Sequence, residues 1–253
     1  MSAAGPTDSL TPTEQAVARA LARAALYRCL GAAFAYPLAW RFQELAHVAG
    51  MAAGAPTTSA ALRAPCARFA DAARDADPAA VAAEYVFLFD RQVRCPPYEG
   101  AYGAARGLAG KAAQLADIAG FYAAFGLSAT ATQPDMEDHV AAEVEFMSAL
   151  AVKEAYAVGE AHSEGLAVTR AAEATFLRDH LGCWATAFAA GVQAATPLPF
   201  YVAAAELLAA WVSAELEAFG VDPACAAEPD AAADEEPFTC PMAPSTGAEG
   251  DHP

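Results

Sequence analysis

The sequence predicts an all-α fold, a single-domain helical bundle over 11–221, flanked by a disordered N-terminus (1–10) and a disordered acidic tail (222–253). Three observations predict it. Hydrophobic residues make up 56% of the 253 residues, and much of that share is alanine, which favours helix and carries little apolar surface. No alternation of Val, Ile or Thr runs beyond a few residues, so strand signals are nearly absent. Apolar residues recur instead at three- and four-residue spacing between recognisable helix ends. The chain is long enough for one large domain with a substantial core.

Each element has its own local warrant. Thr11-Pro12-Thr13-Glu14 is a capping box with proline at the first helical position, so a helix opens there. Leu21, Ala24, Leu26, Leu30, Ala33 and Phe34 continue it as one apolar stripe, and Tyr36-Pro37 ends it. A second helix is predicted over 38–50 and a third over 59–75. Asp77-Pro78 opens a fourth that reaches Asp90 with Val81, Tyr85, Leu88 and Phe89 inward. Pro96-Pro97 and the glycines beyond make 91–107 a loop. The fifth helix spans 108–125 and stops at Gly126. A polar connection, Ser128 to Pro134, leads to Asp135 as N-cap of a sixth helix. Glu137 and Asp138 then lie in its first turn, and it runs to Val158. The seventh covers 164–195, and the eighth runs from Pro199 to Phe219 and ends at Gly220. From Val221 onward Pro, Ala, Asp and Glu dominate, the composition of a chain that cannot bury a core.

The formal charge is −17, from 31 acidic and 14 basic residues. Nucleic acid is thereby excluded as a partner, since phosphates need clustered Lys and Arg. An acidic surface suits basic peptides, and it serves solubility equally well. The first residues lack a basic stretch followed by an apolar run and read as no secretory signal. The greasiest stretch, Leu198 to Ala218, contains Pro199, Glu206, Glu215 and Glu217 and reads as an amphipathic helix, not a membrane span. The six cysteines (29, 66, 95, 183, 225, 240) show no Cys-x-x-Cys and no zinc spacing. They fit buried or free thiols in a reducing compartment, so the cytoplasm is expected.

Two segments depart from plain helix formers. One runs Glu84-Tyr85-Val86-Phe87-Leu88-Phe89 and on through Cys95-Pro96-Pro97-Tyr98-Glu99-Gly100-Ala101-Tyr102. The other is Asp138-His139-Val140-Ala141-Ala142-Glu143-Val144-Glu145-Phe146-Met147. A di-metal carboxylate bundle needs Glu-x-x-His on two helices; of the two such runs here, only Glu44-Leu45-Ala46-His47 falls within a predicted helix, and Glu249-Gly250-Asp251-His252 lies in the tail. His139 and Glu143 stand one turn apart, with no second His-x-x-x-Glu to match them. There is no Gly-x-Ser-x-Gly elbow and no phosphate loop after a strand. No catalytic or metal residue is therefore assigned. For His139 two uses stay open, a hydrogen bond to a loop carbonyl or a binding role at the helix start. The loop at Pro97, Tyr98, Glu99 and Tyr102 is either pinned to the bundle by its tyrosines or forms a rigid rim for a peptide groove.

In order and spacing, these segments resemble the signature of the TorD/DmsD/NarJ family of redox-enzyme maturation chaperones. The resemblance rests on Leu88-Phe89, on Pro96-Pro97-Tyr98-Glu99-Gly100-Ala101-Tyr102, and on Asp138-His139-Val140 with Glu143, Phe146 and Met147. Tyr27 to Pro37 is also similar to the family's opening helix, and the likeness covers roughly 15–220. Gly100 replaces a usual serine, and Val140 a usual leucine. The resemblance implies a non-catalytic, cytoplasmic, all-helical chaperone without a cofactor of its own, either monomer or dimer. It implies a partner too: the apo catalytic subunit of a molybdenum oxidoreductase, often met at its twin-arginine signal peptide and held until molybdopterin is inserted. With its acidic tail the chain resembles the delta-subunit type serving periplasmic dehydrogenases and reductases. On this reading Pro97, Tyr98, Glu99 and Tyr102 form one wall of a groove and Asp138, His139 and Glu143 the other. Phe89, Phe146 and Met147 lie beneath. The rival readings are a helical metal-binding or hydrolytic enzyme using His139, Glu143 and Cys95, and an accessory subunit retained in the mature complex.

Overall fold

The computed structural model describes residues 10–102, 108–127 and 137–226. Residues 1–9, the Ser128–Pro134 connection, the Asp135 cap, Cys240 and the tail beyond 226 lie outside the described residues. Among the described residues every regular element is helical: α1 (Pro12–Phe34), α2 (Arg41–Gly54), α3 (Ala60–Arg74), α4 (Pro78–Tyr85), α5 (Leu108–Ala124), α6 (Val140–Gly159), α7 (Ser163–Phe176), α8 (Gly182–Ala195) and α9 (Pro199–Phe219). The sequence-predicted all-α class holds.

Local signals fix several ends. Thr11 Oγ1 accepts the Glu14 backbone N–H while the Glu14 carboxylate accepts the Thr11 N–H at 2.7 Å, the reciprocal bonds of a capping box. Asp77 accepts the Ala79 N–H and Pro78 follows as the first helical residue of α4. Gly220, at φ +65°, closes α9 in the left-handed region where a Cβ would be strained.

Two π-helical turns interrupt the regular pattern. One, Val86–Asp90, follows α4; the other, Leu177–Leu181, joins α7 to α8 where one continuous helix was expected. Gly182 is required at the second turn, because a Cβ there would stand 2.2 Å from the Leu177 carbonyl oxygen.

α1 packs along α6, α2 along α3, and α9 against α3 and α8. The Ser148 hydroxyl on α6 donates to the Ala24 carbonyl of α1 at 2.8 Å, satisfying itself across the helix pair. The core is aromatic at its centre. Phe188 meets Phe34, Phe89, Tyr102 and Trp184 with ring centroids 5.3–6.2 Å apart. Each such buried ring is worth about 3–5 kcal/mol against truncation to alanine.

One end of the bundle is tied by a charge hub. Arg23 on α1 donates to Glu215 of α9 through Nε at 3.0 Å and Nη2 at 2.7 Å, to Glu173 of α7 at 2.8 Å, and to Glu154 of α6. Tyr27 Oη also donates to Glu215, at 3.0 Å, and Arg170 donates to Glu154 at 2.8 Å. Both guanidinium groups lie over the Phe219 ring. Burial pushes the Glu173 carboxyl up to about 7, against the opposing pull of Arg23.

Candidate partner-binding site

After the first π turn the chain folds back, and the Cys95 N–H donates to the Leu88 carbonyl at 3.1 Å. Tyr98 is extended (φ −123°, ψ 132°) and pairs antiparallel with His139 in a two-residue bridge. Val140 N–H donates to the Pro97 carbonyl at 2.8 Å, and Glu99 N–H to the Asp138 carbonyl at 2.9 Å. The two segments singled out in the sequence therefore meet directly. The bridge also corrects the predicted start of α6. Asp138 lies in a turn and His139 stays extended in the bridge, so the helix begins at Val140 with His139 as N-cap. Glu137 and Asp138 precede the first turn and do not belong to it.

His139 caps α6 through its ring: Nδ1 accepts the Ala141 N–H at 3.1 Å, so that nitrogen carries no proton. Asp138 Oδ2 accepts the Gly100 N–H at 3.2 Å, while among the described residues no atom bonds its Oδ1. Burial raises the Asp138 carboxyl above its ordinary range, more than the Gly100 bond and the Lys111 charge lower it. Glu143 is fully buried and accepts the Trp184 Nε1–H at 3.0 Å. Burial, and then the neighbouring Glu99 charge, push its carboxyl well above the usual range, so it keeps its proton.

His180, in the second π turn, links the cluster to the surface. Nδ1 lies 3.2 Å from Glu99 Oε2 and Nε2 lies 3.2 Å from Asp117 Oδ2, so a doubly protonated ring donates both ways. Burial opposes that charge, but the Glu99 and Asp117 carboxylates outweigh it and raise the imidazole above its ordinary value. Asp117 stands on α5 with its side chain 66% exposed, whereas that of His180 is 4% exposed.

Glu99, Asp138, His139 and Glu143 thus come together, but as a buried lock and not as open walls. Pro97 is buried too, while Tyr98 and Tyr102 are half-buried. The Tyr98 ring contacts His139 at 5.3 Å, and Tyr102 lies on Trp184 at 5.4 Å. Phe89, Phe146 and Met147 belong to the core. Cys95 is buried as well, which pushes its thiol up, away from the thiolate a nucleophile needs. Among the described residues, no three of His, Cys, Asp and Glu stand close enough to share a metal ion. Sequence reasoning missed His180, Trp184, Asp117 and Lys111. The available signal was His180 and Trp184 one turn apart, two rare polar-tipped rings in an alanine-rich helix.

An all-α bundle in which a proline-tyrosine loop is clasped to an Asp-His helix start is the architecture this chain presents. Residues 55–190, more than half of the chain, match the family described as the nitrate reductase delta subunit, and the chain belongs to that family. This agrees with the resemblance of its sequence to the TorD/DmsD/NarJ chaperones, and the matched stretch contains both bridged segments, His180 and Trp184. The chain is similar to the perchlorate reductase assembly chaperone protein of Dechloromonas aromatica (strain RCB), 36% identical over 103 residues. That similarity covers 41% of this chain and 45% of the relative, less than half the length of each.

Proposed function

We propose that the chain is a system-specific assembly chaperone. It binds the apo catalytic subunit of a molybdopterin-containing oxidoreductase and holds it, in the cytoplasm, until the cofactor is inserted. The observation that carries this reading is the family match running across the bridged segments, together with a relative that is itself an assembly chaperone. The chemistry is binding: the chain would prefer the unloaded subunit and lose affinity once the cofactor locks its fold. Tyr98 and Tyr102 offer apolar rings with polar tips at the surface, suited to the apolar part of a twin-arginine signal peptide. Pro97, Glu99, Asp138, His139 and Glu143 hold those rings in place, and the exposed Asp117 biases the surroundings toward a basic segment. Among the described residues no helix is long and apolar enough to cross a membrane.

Co-purification tests the reading. The full chain, produced with a tagged molybdopterin oxidoreductase catalytic subunit from the same genome, should be recovered with that subunit before cofactor loading and released after it. Tyr98→Ala, Asp138→Ala and His139→Ala should each reduce recovery and molybdenum content of the client. Unchanged recovery and loading with all three folded variants would refute the site.

A further inference from the structure

Away from the bridged segments, a cleft of about 620 Å³ opens between the end of α3, the start of α4 and the first turns of α9. Its floor is apolar: Val81, Leu198, Phe200 and Val202, with alanines between them. Its rim is acidic: Asp71, Asp75 and Asp77 on one side and Glu206 on the other. The three aspartates are exposed. Arg68 reaches from α3 to α9 and grips Glu206 with two nitrogens, Nε donating to Oε2 at 2.7 Å and Nη2 to Oε1. Both side chains stay open to water, 53% and 36% exposed, so water screens the pair and it holds weakly.

That pair shows what Glu206 is shaped to receive. Its two oxygens already accept a guanidinium in the planar, two-bonded geometry that favours arginine over lysine. An arginine carried by a partner, with apolar neighbours to bury on Phe200 and Val202, can take the place of Arg68.

We propose that this cleft docks a basic, amphipathic segment of the client polypeptide, with an arginine on Glu206 and apolar side chains on the floor. The proposal rests on the reading of this chain as a protein that holds a client. Charge chooses the occupant. The four rim carboxylates outnumber the two arginines that pair with them, Arg68 with Glu206 and Arg74 with Asp71, so the rim still repels phosphates and acidic peptides, and a formal charge of −17 disfavours a second copy of the chain. The chain's own residues 227–253 include Glu228, Asp230, Asp234, Glu235 and Glu236 and no Lys or Arg, so they too are repelled.

The test uses the full chain produced with the same tagged catalytic subunit. A photo-crosslinking phenylalanine analogue at Val202 is expected to label a client stretch that contains arginine among apolar residues. The double variant Asp75→Asn/Glu206→Gln, matched to wild type in its melting, is expected to lower capture two- to tenfold at about 150 mM salt and to flatten its salt dependence. Arg68→Ala, which frees Glu206, is expected to raise capture. Capture unchanged by the double variant, or a label only on stretches without Lys or Arg, overturns the cleft as the docking site. A wild-type chain that captures no client overturns the chaperone reading and the cleft together, so the two failures are distinguishable.

Discussion

Two buried polar clusters share this bundle, and they neutralise their acids in different ways. Around Arg23, Glu154, Glu173 and Glu215 share a guanidinium whose charge does not depend on pH in any accessible range. Around the Tyr98–His139 bridge, Glu99, Asp138 and Glu143 have no buried arginine or lysine among the described residues. Their balance comes from the His180 ring and from the proton that Glu143 retains. An excess of buried acid is stable only if a cation or a proton comes with it. In the first cluster a permanent cation supplies most of the balance, with Glu173 pushed up to about 7 beside it; in the second, protonation supplies it.

Removing the fixed cation should have the largest effect. Arg23→Ala leaves three glutamates buried without it and is expected to cost about 3–5 kcal/mol in urea unfolding. Next comes a matched pair of neutral replacements. Glu215→Gln takes away the charge that Arg23 and Tyr27 both bond, an expected loss of about 1.5–3 kcal/mol. Glu143→Gln replaces an acid that is already protonated and can still accept from Trp184, so less than about 1 kcal/mol is expected. Equal losses at the two sites would erase the contrast.

A pH series sharpens it further. His180, Glu143 and Glu173 all have folded-state values raised above their unfolded ones. The folded chain therefore binds more protons than the unfolded chain within each window, and stability falls as pH rises through it. For Glu173 that window runs from 4.5 to about 7; for His180 it begins at 6.5 and extends upward. The urea midpoint should fall between pH 5 and pH 8.5, and Glu143→Gln should flatten the decline. A midpoint that rises over the same interval would contradict the protonated cluster. The smallest effect is expected at Gly100. A Cβ there would stand 2.7 Å from Lys111 Cε, the mobile end of an exposed side chain. Gly100→Ser should displace Lys111 and shift stability by no more than about 0.5 kcal/mol.

The ends of α1, α4 and α9 were legible in the sequence because each is set within a few residues: a capping box, an Asp-Pro start, a glycine stop. The start of α6 was misread because its cause lies 38 positions upstream, where Gly100 and its neighbours engage Asp138 and draw 138–139 out of the helix. The bridged segments were recognisable as a pair through family resemblance, but their burial was not, since it depends on what α5 and α8 bring against them. The Arg23 hub went unseen for the same reason. Its four members sit on α1, α6, α7 and α9, and only the phase of Glu154 among buried Leu150, Ala151 and Ala155 hinted at an acid facing inward.

The π turn at 177–181 decides how these clusters can coexist on one helix. Glu173, just before it, faces Arg23; Trp184, just after it, faces Glu143. In an unbroken α-helix two residues eleven apart point almost the same way, at about 100° per residue. The extra residue in the turn acts as a gear offset of about that size, so one rod presents two differently aimed faces. Winding 177–181 as regular α-helix with no residue removed would rotate all of α8 by about 100° and carry Trp184 and Phe188 off their targets, whereas deleting one residue there would leave both faces aimed as they are.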